Sequence, residues 1–315
     1  MNRFILGLLA PLAFMQAASA QDTLKIAIGQ INNWENQPPT LGQDAGFYKK
    51  YNLILENFGT AGAGETIQAV ISGSADLGGG VGVGGVMRAY SKGAPVRIIL
   101  PSYTGTNDLY WYVKADSPIK SLKDATDKNT VAYSTNGSSS NNIVVAFVEE
   151  LGLKAKPTAT GGMPGTLTSV MSNQIDIGWG SPPFGVREIN EGKIRVIARG
   201  SDIPSLRGQT VRVIIANSDA LAKKKDAMAN FVKGFRESVN WMYADPKAIE
   251  MYAKKINTDE AIIRQSITQY QTKEALQTDE MKDLTAAMND AVKLKFLDKP
   301  LTAEQFKEFI VIPPK

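Results

Sequence analysis

The polar residues best suited to bind a charged group lie where a predicted strand gives way to a helix. The stretch STNGSSSNN (Ser134–Asn142) follows the β-rich run Thr130–Tyr133 and precedes an amphipathic helix predicted over Ile143–Leu151. Hydroxyl and amide side chains at a helix start can hold an anion, because they surround backbone N–H groups that lack helical partners. The stretch lacks the lysine and the spacing of a nucleotide-binding P-loop. An ordinary helix cap beside a polar loop would have the same composition.

A glycine-rich stretch, GGGVGVGG (Gly78–Gly85), precedes another predicted helix, Val86–Ser91. It contains the spacing G-x-G-x-x-G, which in dinucleotide-binding proteins is followed by an acidic residue that holds the ribose. Here the next predicted strand, Val96–Leu100, runs into the residues PSY (101–103), and no acid follows it. The glycines therefore favour close approach of backbone N–H groups to a small ligand over binding of a nicotinamide cofactor.

The sequence contains no histidine and no cysteine. Their absence excludes serine–histidine and cysteine–histidine nucleophile systems, most zinc sites, and disulfides. An enzyme would need carboxylates, for which Glu35 and Glu65 are the candidates, or lysine or a bound cofactor. The sequence favours binding over catalysis, and we expect neither a metal nor a cofactor.

The helices and strands that position these residues come from a segment that occurs twice in the chain. TIQAVISGSADLGGG (Thr66–Gly80) matches TLTSVMSNQIDIGWG (Thr166–Gly180) without gaps, one hundred residues apart. Each copy predicts a short helix, a tight turn, a strand and a glycine-rich exit, and ligands bind beyond the carboxyl ends of such strands. Two equivalent lobes with a ligand between them would explain the repeat, and so would one helix–strand unit used twice within a single sheet. Asp76 and Asp176 are expected to hold neighbouring loop N–H groups.

Composition points to an exported protein. The first twenty residues have Arg3, an apolar run and Ala18-Ser19-Ala20 before Gln21, which is the pattern of a cleaved signal peptide. Without cysteine the chain has no site for an N-terminal lipid anchor, and we expect a periplasmic location. The formal net charge is +4 with scattered charges, so nucleic acid is not an expected partner.

The order of predicted elements is that of an α/β protein with parallel sheets followed by extra C-terminal helices. Strands are predicted at Leu24–Ile28, Leu53–Glu56, Ala75–Leu77, Val96–Leu100, Leu109–Lys114, Thr130–Tyr133, Ile175–Ile177, Ile194–Ala198 and Thr210–Ala216. The C-terminal helices are predicted at Ala227–Tyr243, Pro246–Lys255, Asp259–Tyr270, Thr278–Leu294 and Thr302–Phe309.

Three segments of the sequence resemble those of the periplasmic solute-binding proteins of ATP-driven importers. They are LKIAIG at the first strand, LGQDAGFYKKYNLILE (Leu41–Glu56) and DSPIKSLKDATDKNTVAY (Asp116–Tyr133). Within that superfamily the chain is most similar to the nitrate, sulfonate, taurine and thiamine-pyrimidine branch. Proteins of that branch contain the motif ALxSGxxDxG, and Ala69–Gly78 of this chain resembles it. The resemblance implies a type II periplasmic binding protein: two Rossmann-like lobes joined by two crossing strands, with extra C-terminal helices. The expected division is a signal peptide over 1–20, one lobe over 21–107 plus 212–315, and the other over 108–211.

The resemblance also implies which loops touch the ligand. Contacts would come from strand ends and helix starts in both lobes, and they would be mainly backbone N–H groups, hydroxyls and aromatic rings. The implied residues are Asn33, Trp34, Gly62, Gly64, Gly79, Gly80, Val81, Tyr103, Asn136, Gly137, Ser138, Met163, Trp179 and Ser181.

The function expected from this resemblance is capture of a small solute and its delivery to a membrane permease, by a monomer that is not an enzyme. No arginine falls at a predicted strand end, so we expect a monoanionic sulfonate or carboxylate, or a neutral heterocycle, before a divalent anion. The aromatic residues at strand ends predict a ligand with an apolar or aromatic part. Two alternatives remain open: a periplasmic enzyme that works through carboxylates, and a sensor subunit that presents its ligand to a membrane receptor.

Overall fold

The computed structural model describes residues 21–276 and 278–313, so the predicted signal peptide lies outside the described residues. Strands and helices alternate through the first two thirds of the described chain, and helices follow. The strands are β1 (Asp22–Gly29), β2 (Leu53–Thr60), β3 (Leu77–Gly82), β4 (Val96–Thr104), β5 (Tyr110–Lys114), β6 (Thr130–Tyr133), β7 (Lys156–Ala159), β8 (Gly178–Gly180), β9 (Ile194–Arg199) and β10 (Thr210–Asn217). The helices are α1 (Pro38–Asp44), α2 (Ala63–Ile71), α3 (Val83–Ser91), α4 (Ser139–Leu151), α5 (Met163–Met171), α6 (Val186–Asn190), α7 (Ser218–Lys223), α8 (Lys225–Ala244), α9 (Pro246–Ile256), α10 (Glu260–Tyr270), α11 (Leu284–Lys293) and α12 (Ala303–Phe309).

The strands form two sheets with the same internal order. In the first, the order is β2-β1-β3-β10-β4; β1 runs parallel to β2 and β3, and β10 runs antiparallel to both its neighbours. In the second, β6 and β7 are parallel, and β5 runs antiparallel between β8 and β9. A bridge between Val131 and Ile177 joins β6 to β8, so the order is β7-β6-β8-β5-β9. The chain passes between the sheets twice, from β4 to β5 and from β9 to β10.

This arrangement confirms the predicted α/β fold of two lobes joined by two crossings, and it rules out one helix–strand unit repeated within a single sheet. Each copy of the repeat supplies the same part of its own lobe, namely α2 with β3 and α5 with β8. The lobe limits expected from the sequence, 21–107 plus 212–315 and 108–211, stay a prediction.

The two copies are held by matching hydrogen bonds. The Thr60 and Thr66 hydroxyls lie 2.6 Å apart, and so do those of Thr160 and Thr166. The Asp76 carboxylate accepts from the Lys25 backbone N–H at 2.9 Å, and its counterpart Asp176 accepts from Thr130 at 2.8 Å. Both aspartates bind neighbouring backbone N–H groups as expected, but the donors lie in strands β1 and β6 and not in loops.

The glycine-rich stretch differs from its prediction. The strand was expected at Ala75–Leu77 and the helix at Val86–Ser91, whereas β3 runs through the glycines to Gly82 and α3 begins at Val83. Close packing is the physical reason: a Cβ on Gly78 would lie 2.9 Å from side-chain atoms of Thr66 and Val70. Gly78 is therefore a strand residue that lets α2 pack directly on the sheet, whereas Gly84 and Gly85 belong to α3.

The C-terminal helices complete the first lobe. Phe231 and Phe235 of α8 pack against the first sheet in one buried cluster. The long helix predicted over Thr278–Leu294 is wrong in its first turns, because α11 begins only after Asp283, whose side chain accepts from the Ala286 N–H as an N-cap. No helix in the described part of the chain is long and apolar enough to cross a membrane.

Candidate functional site

A small polar chamber lies between the two lobes, where strand ends and helix starts of both sheets meet. Its volume is about 20 Å³, which is room for one or two water molecules. Polar side chains and glycines from both lobes form most of its wall. The lining residues are Gly29, Gln30, Asn33, Glu35, Asn36, Gly62, Ala63, Gly80, Leu109, Ser134, Ser138, Ser139, Ser140, Trp179 and Arg212.

Two helices begin at this chamber, one in each lobe. Gly62 precedes α2, and Ser138 is the N-cap of α4, its hydroxyl accepting from the Asn141 N–H at 3.0 Å. The first N–H groups of a helix lack intrahelical partners, and the helix dipole places partial positive charge there. Both helix starts therefore favour an electron-rich group in the chamber.

Arg212 of β10 brings a full positive charge to the chamber wall. Its side chain is 4% exposed, and it donates to the fully buried Asp108 carboxylate at 2.6 Å. The guanidinium also lies over the Tyr103 ring, 4.1 Å from the ring centroid, which is cation–π geometry. Arg212 Nε has no hydrogen-bond partner. The arginine is thus largely neutralised by Asp108 but keeps one unused donor.

Glu35 also lines the chamber and is buried. One carboxyl oxygen accepts from Asn33 Nδ2 at 3.1 Å, while Oε2 has no partner. Burial raises the pKa of Glu35 to about 7; Arg212 lowers it and Asp108 raises it further. Near neutral pH this carboxyl therefore exchanges between its charged and neutral forms.

Trp179 of β8 supplies a third unused polar atom. The side chain is 2% exposed, and its indole Nε1–H has no partner. Buried polar groups are nearly always hydrogen-bonded, so an unpaired indole N–H, guanidinium N–H and carboxyl oxygen among its lining residues make the chamber a candidate binding site.

A larger cavity of about 290 Å³ adjoins the chamber, and Gln30 and Asn33 line both. Its wall combines apolar side chains with backbone and amide groups. The other lining residues are Ile31, Asn32, Thr60, Ala61, Gly162, Met163, Pro164, Pro183, Phe184, Ile256 and Thr258. The two spaces together suit a ligand with a polar head and a larger body.

The lobes are closed over the chamber. Across the cleft the Gly64 N–H donates to Thr135 Oγ1 at 3.0 Å, and Gln271 Nε2 donates to the Pro182 carbonyl at 2.6 Å. These contacts account for the small size of the chamber.

The residues implied by the resemblance fall into three groups. Those at the chamber are Asn33, Gly62, Gly80, Ser138 and Trp179, and Met163 lines the adjoining cavity. Those at a separate cavity of about 330 Å³ on the rim, beside α2 and α3, are Gly64, Asn136 and Gly137. Those that line none of these cavities are Trp34, Gly79, Val81, Tyr103 and Ser181.

Trp34 and Tyr103 were expected to face the ligand, but both are packing residues. Trp34 is buried against the rings of Tyr243 and Tyr252, with centroids 5.8 and 5.1 Å away. Tyr103 lies beneath the Arg212 guanidinium. The C-terminal helices α8 and α9, which carry Tyr243 and Tyr252, cover the loop after β1 and bury Trp34.

The sequence reading also missed Arg212 as a site residue. The prediction covers arginines at strand ends, whereas Arg212 lies inside the strand TVRVIIA. A signal was present, since arginine is almost never buried unless it is paired. Its partner Asp108 could not be identified, because the two residues are 104 positions apart.

Among the described residues no group of three or more carboxylates could hold a metal ion. The second carboxylate of the enzyme hypothesis, Glu65, is exposed and accepts from the Ala61 N–H at 3.0 Å.

The family model described as "NMT1/THI5 like" matches residues 34–249 of the chain. Among solved structures, the alkanesulfonate-binding protein SsuA from Xanthomonas axonopodis pv. citri bound to MOPS is 14% identical, with a TM-score of 0.75 over 91% of this chain and 99% of that one. The periplasmic nitrate-binding protein NrtA from Synechocystis PCC 6803 is 14% identical, with a TM-score of 0.67 over 91% and 84% of the chains. The Candida albicans CA3427 gene product, with the generic periplasmic binding protein fold, is 14% identical, with a TM-score of 0.72 over 91% and 95%. No curated protein matches the chain at a significant level.

Proposed function

The chain belongs to the NMT1/THI5-like family and has the periplasmic binding protein fold, and from this premise we propose that it is the solute-binding component of an ABC importer. It captures a small organic acid, a sulfonate or a carboxylate, between its lobes in the periplasm and delivers it to a membrane permease. The observation that carries the proposal is the closed chamber, in which three buried polar atoms lack partners.

The head group of the solute binds in the chamber, and its body fills the adjoining cavity. The starts of α2 and α4, the Trp179 indole and Arg212 offer donors to an anionic head. The outer cavity offers Met163 and Phe184 to an apolar or aromatic body. Because Asp108 already neutralises Arg212, a singly charged head is preferred to a divalent anion.

Binding requires the lobes to move apart and close again. A chamber of about 20 Å³ is smaller than a sulfonate group, so the solute enters while the lobes are open, and the lobes then close around it with a larger chamber than in this structure. The two crossings between the sheets act as the hinge, with lobe limits at 107/108 and 211/212.

Glu35 keeps a second candidate function open, that of a periplasmic enzyme working through carboxylates. A buried glutamate with a pKa of about 7 has the property of a general base. Asp108, the other carboxylate that acts on Glu35, does not line the chamber and is bound to Arg212, which leaves Glu35 without a second proton-transfer group among the described residues that line the chamber. The importer is therefore the better-supported proposal.

A thermal-shift screen with native mass spectrometry tests the proposal. We expect sulfonates or aromatic carboxylates to raise the melting temperature, because a ligand at a hundred times its dissociation constant adds about 2.7 kcal/mol of stability. The compound should be recovered unchanged. No shift with any of these acids would contradict the solute class, and recovery of a chemically altered compound would favour the enzyme.

Trp179→Phe is expected to weaken solute binding about tenfold, or about 1.4 kcal/mol, because it removes the indole N–H and keeps an aromatic ring. Calorimetric titration of the wild type and the variant measures the change. Trp241→Phe is the matched control, since that indole donates to Asp245, the residue between α8 and α9, and lies outside the chamber. Equal losses in both variants would remove Trp179 from the binding site.

A further inference from the structure

The geometry of the chamber points to a specific role for Glu35: we propose that the protein takes up one proton on this carboxyl when it binds an anionic solute. This inference rests on the proposed function and deepens it, because it assigns the residue that decides which charge the site accepts.

The unpartnered atoms on the chamber wall differ in kind. Trp179 Nε1 and Arg212 Nε are donors, and Glu35 Oε2 is the acceptor among them. A single anionic head group cannot satisfy an ionised Glu35, because both are negative and both only accept hydrogen bonds. A protonated Glu35 becomes a third donor, and all three atoms can then bind the same head group.

The charges around Glu35 support the same conclusion. Arg212 and Asp108 compensate each other at 2.6 Å, so no cation remains to balance an ionised Glu35 together with an anionic solute. Closed lobes keep water from screening the repulsion, which is therefore strong in this low-dielectric setting. Protonation of Glu35 removes the repulsion between this carboxylate and the anionic solute without any movement of a helix or strand.

Every titratable group that faces Glu35 is compatible with proton uptake. The charged neighbours are Arg212 on β10 and Asp108 between β4 and β5. The remaining neighbours are tyrosines of β4, α8 and α9, whose pKa values burial raises, so that they stay neutral: Tyr103, Tyr243 and Tyr252. Glu35 is thus the group free to change its charge near neutral pH, and its neutral form predominates below its pKa of about 7.

Calorimetry of the wild-type protein with benzenesulfonate tests the proposal directly, since this probe keeps one negative charge at every pH used. At pH 8, titrations in buffers of different ionisation enthalpy should show uptake of about one proton per solute, and the affinity should be about tenfold weaker than at pH 6. Binding without proton uptake would overturn the proposal and leave the proposed function intact. Failure of benzenesulfonate and benzoate to bind at pH 6 would contradict the proposed solute class itself.

The variant Glu35→Gln provides the second test of proton uptake. The amide keeps the volume and a donor but cannot titrate, so its affinity should be the same at pH 6 and pH 8, with no proton taken up. Glu65→Gln is the matched control, because Glu65 is exposed and lines neither space, and it should behave like the wild type. Tighter binding of the cation benzylamine than of benzenesulfonate at pH 8, lost in Glu35→Gln, would also overturn the proposal.

Discussion

Replacing Arg212 by methionine is expected to lower the free energy of unfolding by about 3–5 kcal/mol, because the change leaves the fully buried Asp108 carboxylate without its partner. Asp108 Oδ1 has no hydrogen-bond partner even in the intact protein, and the guanidinium at 2.6 Å is the cation that compensates this carboxylate. The variant also loses the contact of the guanidinium with the Tyr103 ring. Urea denaturation at pH 7 measures the difference.

The double variant Arg212→Met/Asp108→Leu separates the cost of the unpaired charge from the value of the pair. It should recover most of the lost stability, because well-packed apolar residues can replace a buried ion pair at little cost. Arg264→Met is a surface control: Arg264 pairs with Glu260 at 3.1 Å, both side chains are exposed, and the loss should stay below about 1 kcal/mol. An Arg212→Met variant no less stable than Arg264→Met would contradict the assigned role of the pair.

Replacing Gly85 by alanine is expected to hold the lobes apart and to weaken solute binding about a hundredfold, or about 2.7 kcal/mol. Gly85 lies in α3 of the first lobe, and a Cβ there would lie 2.3 Å from the Gly137 carbonyl oxygen in the second. The clash is with a backbone oxygen, which, unlike a side-chain atom, cannot rotate away. Alanine favours the helix over glycine by about 1 kcal/mol, so the lobe itself should not unfold.

Small-angle scattering and calorimetry check this result together. The variant should keep a large radius of gyration when the best solute of the thermal-shift screen is added, whereas the wild type should become more compact. Gly165→Ala is the control, because it also lies in a short helix, α5, and its added Cβ would meet nothing within 4 Å. Wild-type affinity in Gly85→Ala would show that closure does not bring these two backbones together in solution.

Local signals predicted most elements of the fold. The strand Thr130–Tyr133 agrees with β6 at both ends, and the helix predicted over Pro246–Lys255 is α9 to within one residue. Local patterns failed where packing decided the outcome. The strand predicted at Ala75–Leu77 instead continues through the glycine-rich exit to Gly82, and close contact with α2 leaves no room for a side chain at Gly78.

The candidate site was predicted only in part for a related physical reason. Asn33 and Ser138 were found because a strand end and a helix start can be recognised along the chain, and both residues line the chamber. Trp34 has the same local position as Asn33 but is covered by Tyr243 and Tyr252, which belong to helices more than 200 residues later.

By itself the sequence determined the α/β class, the helix–strand repeat and the absence of histidine and cysteine chemistry, since an alternation of elements, a repeat and a composition can all be read without coordinates. The tertiary structure alone decided which charges meet at and behind the chamber wall. Asp108 and Arg212 come together on the first crossing and the returning strand β10, and Glu35 joins them from the loop after β1. The pKa of Glu35 likewise depends on burial between closed lobes, a property that no local stretch of the chain contains.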